Sequence, residues 1–121
     1  MRTLLVTLGS ALIAAAAVGP APALAENLAP AEAKAHAGQT VTVEGEVSNV
    51  HRIASGLVFI DMGGRFPDNV FTAVILAADS GKFPDVEALN GKNVDVTGLI
   101  RLYKGKPEIL LKDPAQLKAK Q

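Results

Sequence analysis

The clearest pattern in the chain is an alternation of apolar and polar residues that begins after Gly38. Val41, Val43 and Val47 are separated by Thr, Glu and Ser residues, which predicts a half-buried strand with its polar side chains outward. Gly45 interrupts this alternation. A glycine inside a strand pattern indicates a bulge or a sharp bend, the device that lets a long strand turn the corner of a small barrel. The first predicted strand is therefore long and bent.

The same pattern recurs later in the chain, with Gly91 in the place of Gly38 and Gly98 in the place of Gly45. It predicts another bent strand over residues 93–103. The side chains predicted to face inward are Val94, Val96, Ile100 and Leu102. Two long strands that each bend at a glycine are typical of a closed barrel.

Three shorter strands are predicted over residues 57–62, 70–77 and 107–112, each bounded by turn residues. Residues 65–69 form the loop between the first two of them. The inward side chains of these strands are predicted to be Val58, Ile60, Met62, Phe71, Ala73, Ile75, Ile109 and Leu111. The chain then has five strands, of which the first and the fourth are long.

The helical signals are short. Residues 83–89 carry Phe83, Val86 and Leu89 at helical spacing, which predicts one short helix between the third and fourth strands. Pro30 opens an alanine-rich segment that favours one or two helical turns before the first strand. Pro114 is expected to end the structured part of the chain.

An apolar run over residues 4–18 follows the positive charge of Arg2. The run is shorter than the roughly 20 residues that a membrane-spanning helix needs, and a helix-breaking Gly-Pro-Ala-Pro segment follows it. Ala23 and Ala25 then occupy the small-residue positions that a signal peptidase reads. We therefore expect a signal peptide over residues 1–25, no stable membrane insertion after its cleavage, and a periplasmic or secreted protein.

The composition is that of one globular domain. Of the 121 residues 49% are hydrophobic and 20% charged, and 12 basic side chains balance 12 acidic ones, so no polybasic nucleic-acid tail is present. The chain has no cysteine, which excludes disulfides, cysteine-ligated zinc and thiol catalysis. We expect a lead-in with a short helix over residues 26–37, a barrel domain over 38–117 and a tail over 118–121.

The order strand, strand, strand, helix, strand, strand resembles the OB-fold, and specifically the anticodon-binding-like branch of nucleic-acid-binding OB domains found as small exported bacterial proteins. Residues 38–47, their repeat at 91–100, and the segments 103–109 and 113–117 carry the resemblance. It implies an all-β domain with one short helix, built as a five-stranded Greek-key barrel. It also implies a ligand site across the second and third strands, flanked by the loops after strands one and four, where relatives bind single-stranded nucleic acid or oligosaccharide.

Basic and aromatic residues are predicted on this binding face. Arg101 and Tyr103 share one side of the fourth strand, and the turn that follows carries two lysines. Bases stack on aromatic rings, and cationic side chains contact phosphates. The candidate nucleic-acid-binding residues are Arg52, Phe59, Arg65, Arg101, Tyr103, Lys104 and Lys106. Phe59 has a second interpretation, because a shift of one residue in the strand register moves it into the core.

The competing interpretation is a non-catalytic adaptor that binds an exported protein or a glycan of the cell envelope. Glu44 on the outer face of the first strand, and the acidic surplus left when Arg2 is cleaved off, oppose tight sequence-independent binding of nucleic acid. Nucleic-acid binding is therefore expected to be weak or selective. A continuous basic stripe along the candidate residues would favour nucleic acid, and a mixed face broken by Glu44 and Asp61 would favour the adaptor.

Residue spacing indicates no catalytic or metal-binding motif. His36 and His51 stand in different predicted elements and in no familiar ligand spacing, and no segment matches a calcium-binding loop. Gly63 and Gly64 lack the following Lys-Ser/Thr of a phosphate-binding loop. We expect a binding module rather than an enzyme, with no metal and no cofactor. The sequence carries no signal for an oligomeric state.

Overall fold

A computed structural model describes residues 27–120 and shows a closed barrel of strands. The signal-peptide prediction, with Ala23 and Ala25, lies outside the described residues. In chain order the strands are β1 (Asn27–Leu28), β2 (Thr40–Arg52), β3 (Val58–Met62), β4 (Phe71–Ile75), β5 (Asn93–Tyr103), β6 (Lys106–Leu111) and β7 (Leu117–Ala119). β2 to β6 match the five predicted strands to within two residues at most boundaries.

The barrel closes in the order β2, β3, β4, β6, β5 and back to β2. All neighbours are antiparallel except β4 and β6, which run parallel. The first and fourth predicted strands close the barrel because each is long enough to pair on both sides. The predicted five-stranded barrel is therefore confirmed.

β2 changes its partner within its own length. Its first half pairs with β5, in a register that sets Gly45 opposite Val94, and its second half pairs with β3. The register shift lies between Val47 and Asn49, so Gly45 is not itself a bulge. It is needed for a close contact instead, because a Cβ there would lie 2.8 Å from Pro30 Cγ.

The core consists mainly of the predicted inward side chains, together with Ala33 of the lead-in, while Val41 is half-buried and packs against it. Every predicted inward residue of β3, β4 and β6 is fully buried, as are Val94 and Val96 of β5. Leu102 was predicted to be inward but is 46% exposed. The prediction fails there because, after Ile100, β5 pairs only with β6 as a hairpin and has left the barrel wall.

All helical segments of residues 27–120 are short 3-10 helices. Two of them, Ala77–Lys82 and Val86–Leu89, stand between β4 and β5 where one helix over residues 83–89 was predicted. Phe83 precedes a proline and has a φ of −126° and a ψ of 64°, outside the helical region, which keeps it out of the second helix. Phe83 is nevertheless buried, as the predicted apolar face requires. No helix in the described part of the chain has the length and apolar character to cross a membrane.

Two terminal segments complete the barrel. The 3-10 helix Pro30–His36 forms the predicted lead-in. Pro114, however, does not end the structured part, because β7 follows and pairs with β5. Gln116 holds this segment in place: its Nε2 donates to Thr97 O at 2.9 Å, and its Oε1 accepts from the backbone N–H of Lys112 at 2.8 Å. The alternation of apolar and polar residues could not predict β7, because hydrogen bonds of the Gln116 side chain hold this segment in place.

Candidate functional site

A cavity of about 430 Å³ lies between the loop that follows β3 and the turn that joins β5 to β6. Its floor is the outer face of β3, β4 and β6. The lining residues are His51, Phe59, Asp61, Phe66, Asn69, Thr72, Tyr103, Lys104, Lys106, Pro107 and Glu108. The volume lies within the usual range for small-ligand pockets, so the cavity can hold a single planar ring with its substituents.

Aromatic rings form much of the cavity wall. Tyr103 and Phe66 are 59% and 76% exposed, which is unusual for large apolar side chains. Phe59 stacks on His51 with 6.0 Å between ring centroids and 23° between ring planes, because the two residues are paired across β2 and β3. Flat apolar surface beside a cavity is suited to stacking with a planar ligand.

Two lysines border the same cavity. Lys104 and Gly105 have φ angles of 51° and 82°, as the tight turn of a two-residue hairpin requires. The positive φ is unfavourable for lysine. The turn leaves Lys104 Nζ 5.4 Å from the Tyr103 ring centroid, whereas Lys106 Nζ lies 6.0 Å from the Phe66 ring centroid and donates to Pro67 O. Lys106 therefore ties the loop to the hairpin, while Lys104 has no carboxylate partner among residues 27–120.

The floor of the cavity is acidic. Asp61 and Glu108 are 3% and 8% exposed and flank Thr72 in one row across β3, β4 and β6. Asn69 Nδ2 donates to Thr72 Oγ1 at 2.6 Å and lies 3.4 Å from Asp61 Oδ1. Desolvation raises the pKa of Asp61, although hydrogen bonds from the Phe66 backbone and Thr72 oppose the rise. The floor offers mainly hydrogen-bond acceptors.

The raised pKa of Asp61 predicts a pH dependence of stability. The folded protein binds this proton more tightly than the unfolded chain, so stability increases as the pH falls through the raised pKa, and the increase is complete below the unfolded pKa. We expect the parent to gain stability relative to Asp61→Asn between about pH 7 and about pH 4. Urea unfolding of both proteins across this range measures the difference. If the difference in unfolding free energy between the two proteins does not change with pH, burial does not raise the pKa of Asp61.

The predicted site residues separate into two groups. Phe59, Tyr103, Lys104 and Lys106 line the cavity, and Arg65 is exposed in the loop beside it. The other two arginines do not line the cavity and are paired with carboxylates: Arg52 Nε donates to Glu87 Oε2 at 2.8 Å, and Arg101 Nε donates to Glu108 Oε2 at 2.6 Å. The basic residues therefore form no continuous stripe, and the face is mixed in charge.

Several cavity residues were missed as candidates. Phe66 lies in the loop over residues 65–69, which was assigned from its turn residues alone. Because binding residues are disproportionately on loops, an aromatic residue in this loop was the available signal. Asn69 and Glu108 carried no signal, since an isolated polar residue in a loop or strand is ordinarily solvated. Their burial depends on the loop after β3 folding over the barrel face.

A second depression, of about 530 Å³, lies along β2, β5 and the C-terminal segment. Its walls are polar: Thr42 Oγ1 and Thr97 Oγ1 are 2.8 Å apart, and Lys120 Nζ lies 3.7 Å from Asp95 Oδ2. None of its lining residues is aromatic. Because it offers no surface for stacking, the aromatic cavity is the better candidate site.

No known family model and no curated protein matches the sequence. Solved structures do resemble it. Asparaginyl-tRNA synthetase from Pyrococcus horikoshii matches with a TM-score of 0.59 and 19% identity over 81% of this chain and 24% of that chain. The asparaginyl-tRNA synthetase of Entamoeba histolytica matches with a TM-score of 0.56 and 16% identity over the same shares of the two chains.

A third similar structure is the OBody AM1L10 bound to hen egg-white lysozyme. It matches with a TM-score of 0.57 and 16% identity over 87% of this chain and 99% of that chain. This chain has an OB-fold. The chain spans about a quarter of the length of the two synthetases. At these identities the likeness establishes the OB-fold and not the ligand.

The cavity occupies the position where an OB-fold carries its ligand, on the face of the second and third barrel strands beside the loop between the fourth and fifth. In this chain those strands are β3 and β4, and the loop is the turn at Lys104 and Gly105. The strand face and the loop after the fourth strand therefore agree with the expected site. The loop after the first strand, which was also expected to flank it, contributes no lining residue, and the loop after β3 borders the cavity instead.

Proposed function

We propose that this OB-fold domain binds single-stranded nucleic acid, weakly or selectively, by stacking a base in the aromatic cavity. The supporting observation is the exposure of Tyr103 and Phe66, 59% and 76%, on one cavity at the ligand-binding face of the fold. Each stacked base contributes about 1 to 3 kcal/mol in proteins of this kind. Stacking supplies most of the affinity in this proposal.

The electrostatic contribution is small in this proposal. The ion pairs of Arg52 with Glu87 and of Arg101 with Glu108 reduce the charge that these arginines offer to phosphate. Arg65 and Lys104 form no ion pair with residues 27–120 and are exposed beside the cavity. They are the cations that contact phosphate.

This assignment predicts which substitutions change the salt dependence of binding. Replacing Lys104 or Arg65 with Ala should flatten the plot of log affinity against log salt by about 0.7 per lost contact. Fluorescence anisotropy with a short single-stranded DNA at several salt concentrations measures the slope. Lys118→Ala, which removes an exposed lysine from the other depression, is the matched control and should leave the slope unchanged. A uniform decrease for all three variants would contradict a localised phosphate contact.

The second candidate function is a protein- or glycan-binding adaptor, and the mixed charge of the face favours it. The OBody structure supports this alternative, because that protein is bound to lysozyme. Export, predicted from residues 1–25, would also make envelope proteins and glycans the nearest partners.

A single screen separates the two functions. The purified protein is titrated with single-stranded DNA, RNA and glycan fragments at low and moderate salt. Binding of DNA or RNA that weakens when Tyr103 is removed supports the first proposal. A folded protein that binds no oligonucleotide even at low salt contradicts it and leaves the adaptor.

A further inference from the structure

Glu108 presents an unused acceptor to the cavity. Its side chain is 10% exposed, and Oε2 accepts from Arg101 Nε at 2.6 Å. Within residues 27–120, no hydrogen bond reaches its other carboxylate oxygen. The ion pair fixes the Glu108 carboxylate in orientation, so its other oxygen is a positioned acceptor at the cavity floor.

Asn69 and Asp61 also present no free hydrogen-bond donor to the cavity. Asn69 Oδ1 is buried and has no hydrogen-bond partner in the described part of the chain. The Nδ2 of Asn69 is already directed at Thr72 Oγ1 and Asp61 Oδ1, so its donors are used within the protein. A ligand that enters the cavity therefore meets carboxylate oxygens on the floor, aromatic rings on the walls and the two lysines at the border.

Bases differ in what they present to such a floor. Cytosine carries an N4 amino group, a donor, at the position where thymine carries the O4 acceptor. An ionised carboxylate accepts hydrogen bonds and donates none. Opposite Glu108, the cytosine amino group gains a charge-assisted hydrogen bond, whereas thymine O4 meets a like partial charge.

We propose that the cavity selects bases with an exocyclic amino group and that Glu108 reads this group. Cytosine then binds in preference to thymine. The inference rests on the proposed binding of single-stranded nucleic acid. Glu108 acts as the specificity residue, and Arg101 holds it in position rather than contacting phosphate.

The test compares oligo-dC and oligo-dT of equal length at one salt concentration. The two carry the same phosphates and pyrimidine rings of similar size, so the affinity ratio reports the difference between the N4 amino group of cytosine and the O4 and C5 methyl groups of thymine. We expect about tenfold tighter binding of oligo-dC, as one hydrogen bond to a charged group provides. Replacing the cytosines with 2-pyrimidinone, which lacks the amino group and has no oxygen in its place, should remove most of the advantage of oligo-dC over oligo-dT.

Glu108→Gln adds a test on the protein side. The glutamine oxygen can still accept from Arg101, while its amide donates into the cavity, so the preference for oligo-dC should fall to about one or reverse. Glu87→Gln is the matched control, since it removes a carboxylate paired with Arg52 outside the cavity, and its ratio should equal that of the parent.

The outcomes test the preference for cytosine separately from the binding of single-stranded nucleic acid. Measurable but equal binding of oligo-dC and oligo-dT overturns the selectivity and leaves nucleic-acid binding standing. Binding of neither overturns both. A folded Glu108→Gln protein that keeps the parent ratio overturns the role of Glu108. If this variant does not fold, the 2-pyrimidinone oligonucleotide still decides, because unchanged affinity for it would overturn recognition of the amino group.

Discussion

Replacing Gly98 with Val is expected to lower the free energy of unfolding by about 3 kcal/mol, the upper end of the usual cost of overpacking. A Cβ built at Gly98 lies 2.6 Å from Ile109 Cγ2 and 3.0 Å from Gln116 Nε2. Ile109 is fully buried. The side chain of Gln116 forms hydrogen bonds with the backbone of Thr97, Leu110 and Lys112. Neither neighbour can move away without disturbing the barrel.

Thermal and urea unfolding measure this effect. For a domain of this size, the expected loss lowers the melting temperature by more than about 10 °C. Gly81→Val is the matched control, because a Cβ at Gly81 meets no atom within 4 Å and its φ is not in the left-handed region. Equal melting temperatures for the two variants would show that β5 and β6 do not approach each other as closely as the barrel requires.

Replacing Tyr103 with Ala is expected to weaken oligonucleotide binding by about 1 to 3 kcal/mol, the contribution of one stacked base. Tyr103 lines the cavity and is 59% exposed, so its removal deletes stacking surface without opening the core. Stacking releases no counterion, so the slope of log affinity against log salt should stay unchanged. Titrations at several salt concentrations report the affinity and the slope together.

Two variants control this experiment. Leu102→Ala removes a neighbouring side chain that is 46% exposed and lies outside the cavity lining, so it should leave affinity unchanged. Tyr103→Phe keeps the ring and should bind like the parent. Circular dichroism and melting temperatures check that every variant is folded. If Tyr103→Ala is folded and binds like the parent, the ring takes no part in binding.

The local pattern predicted most of the barrel. Strand faces repeat with a period of two, so Val58, Ile60 and Met62 could be assigned to the core without knowledge of the partner strands. The pattern gave wrong predictions where contacts between distant segments determine burial or strand formation. Leu102 continues the inward period but lies on a hairpin beyond the barrel wall, and β7 depends on Gln116 reaching across to β5 and β6.

The candidate site was predicted in part. Tyr103, Lys104 and Lys106 were found because a strand and its turn place them beside one another within one hairpin. Arg101 was assigned to phosphate binding from its charge and its face of the strand. Its ion pair with Glu108 was not considered, although the two residues are paired across the same hairpin. Charge counted along a sequence does not show which charges are already neutralised.

The amino-acid sequence by itself determined the succession of strands along the chain and their alternating faces, because both depend on residues near one another in the chain. Only the tertiary structure decided the cavity. The parallel pairing of β4 with β6 brings Thr72 beside Glu108, and the loop after β3 covers Asp61 with Asn69. Such contacts between distant segments depend on how the barrel closes, and no local period encodes that closure.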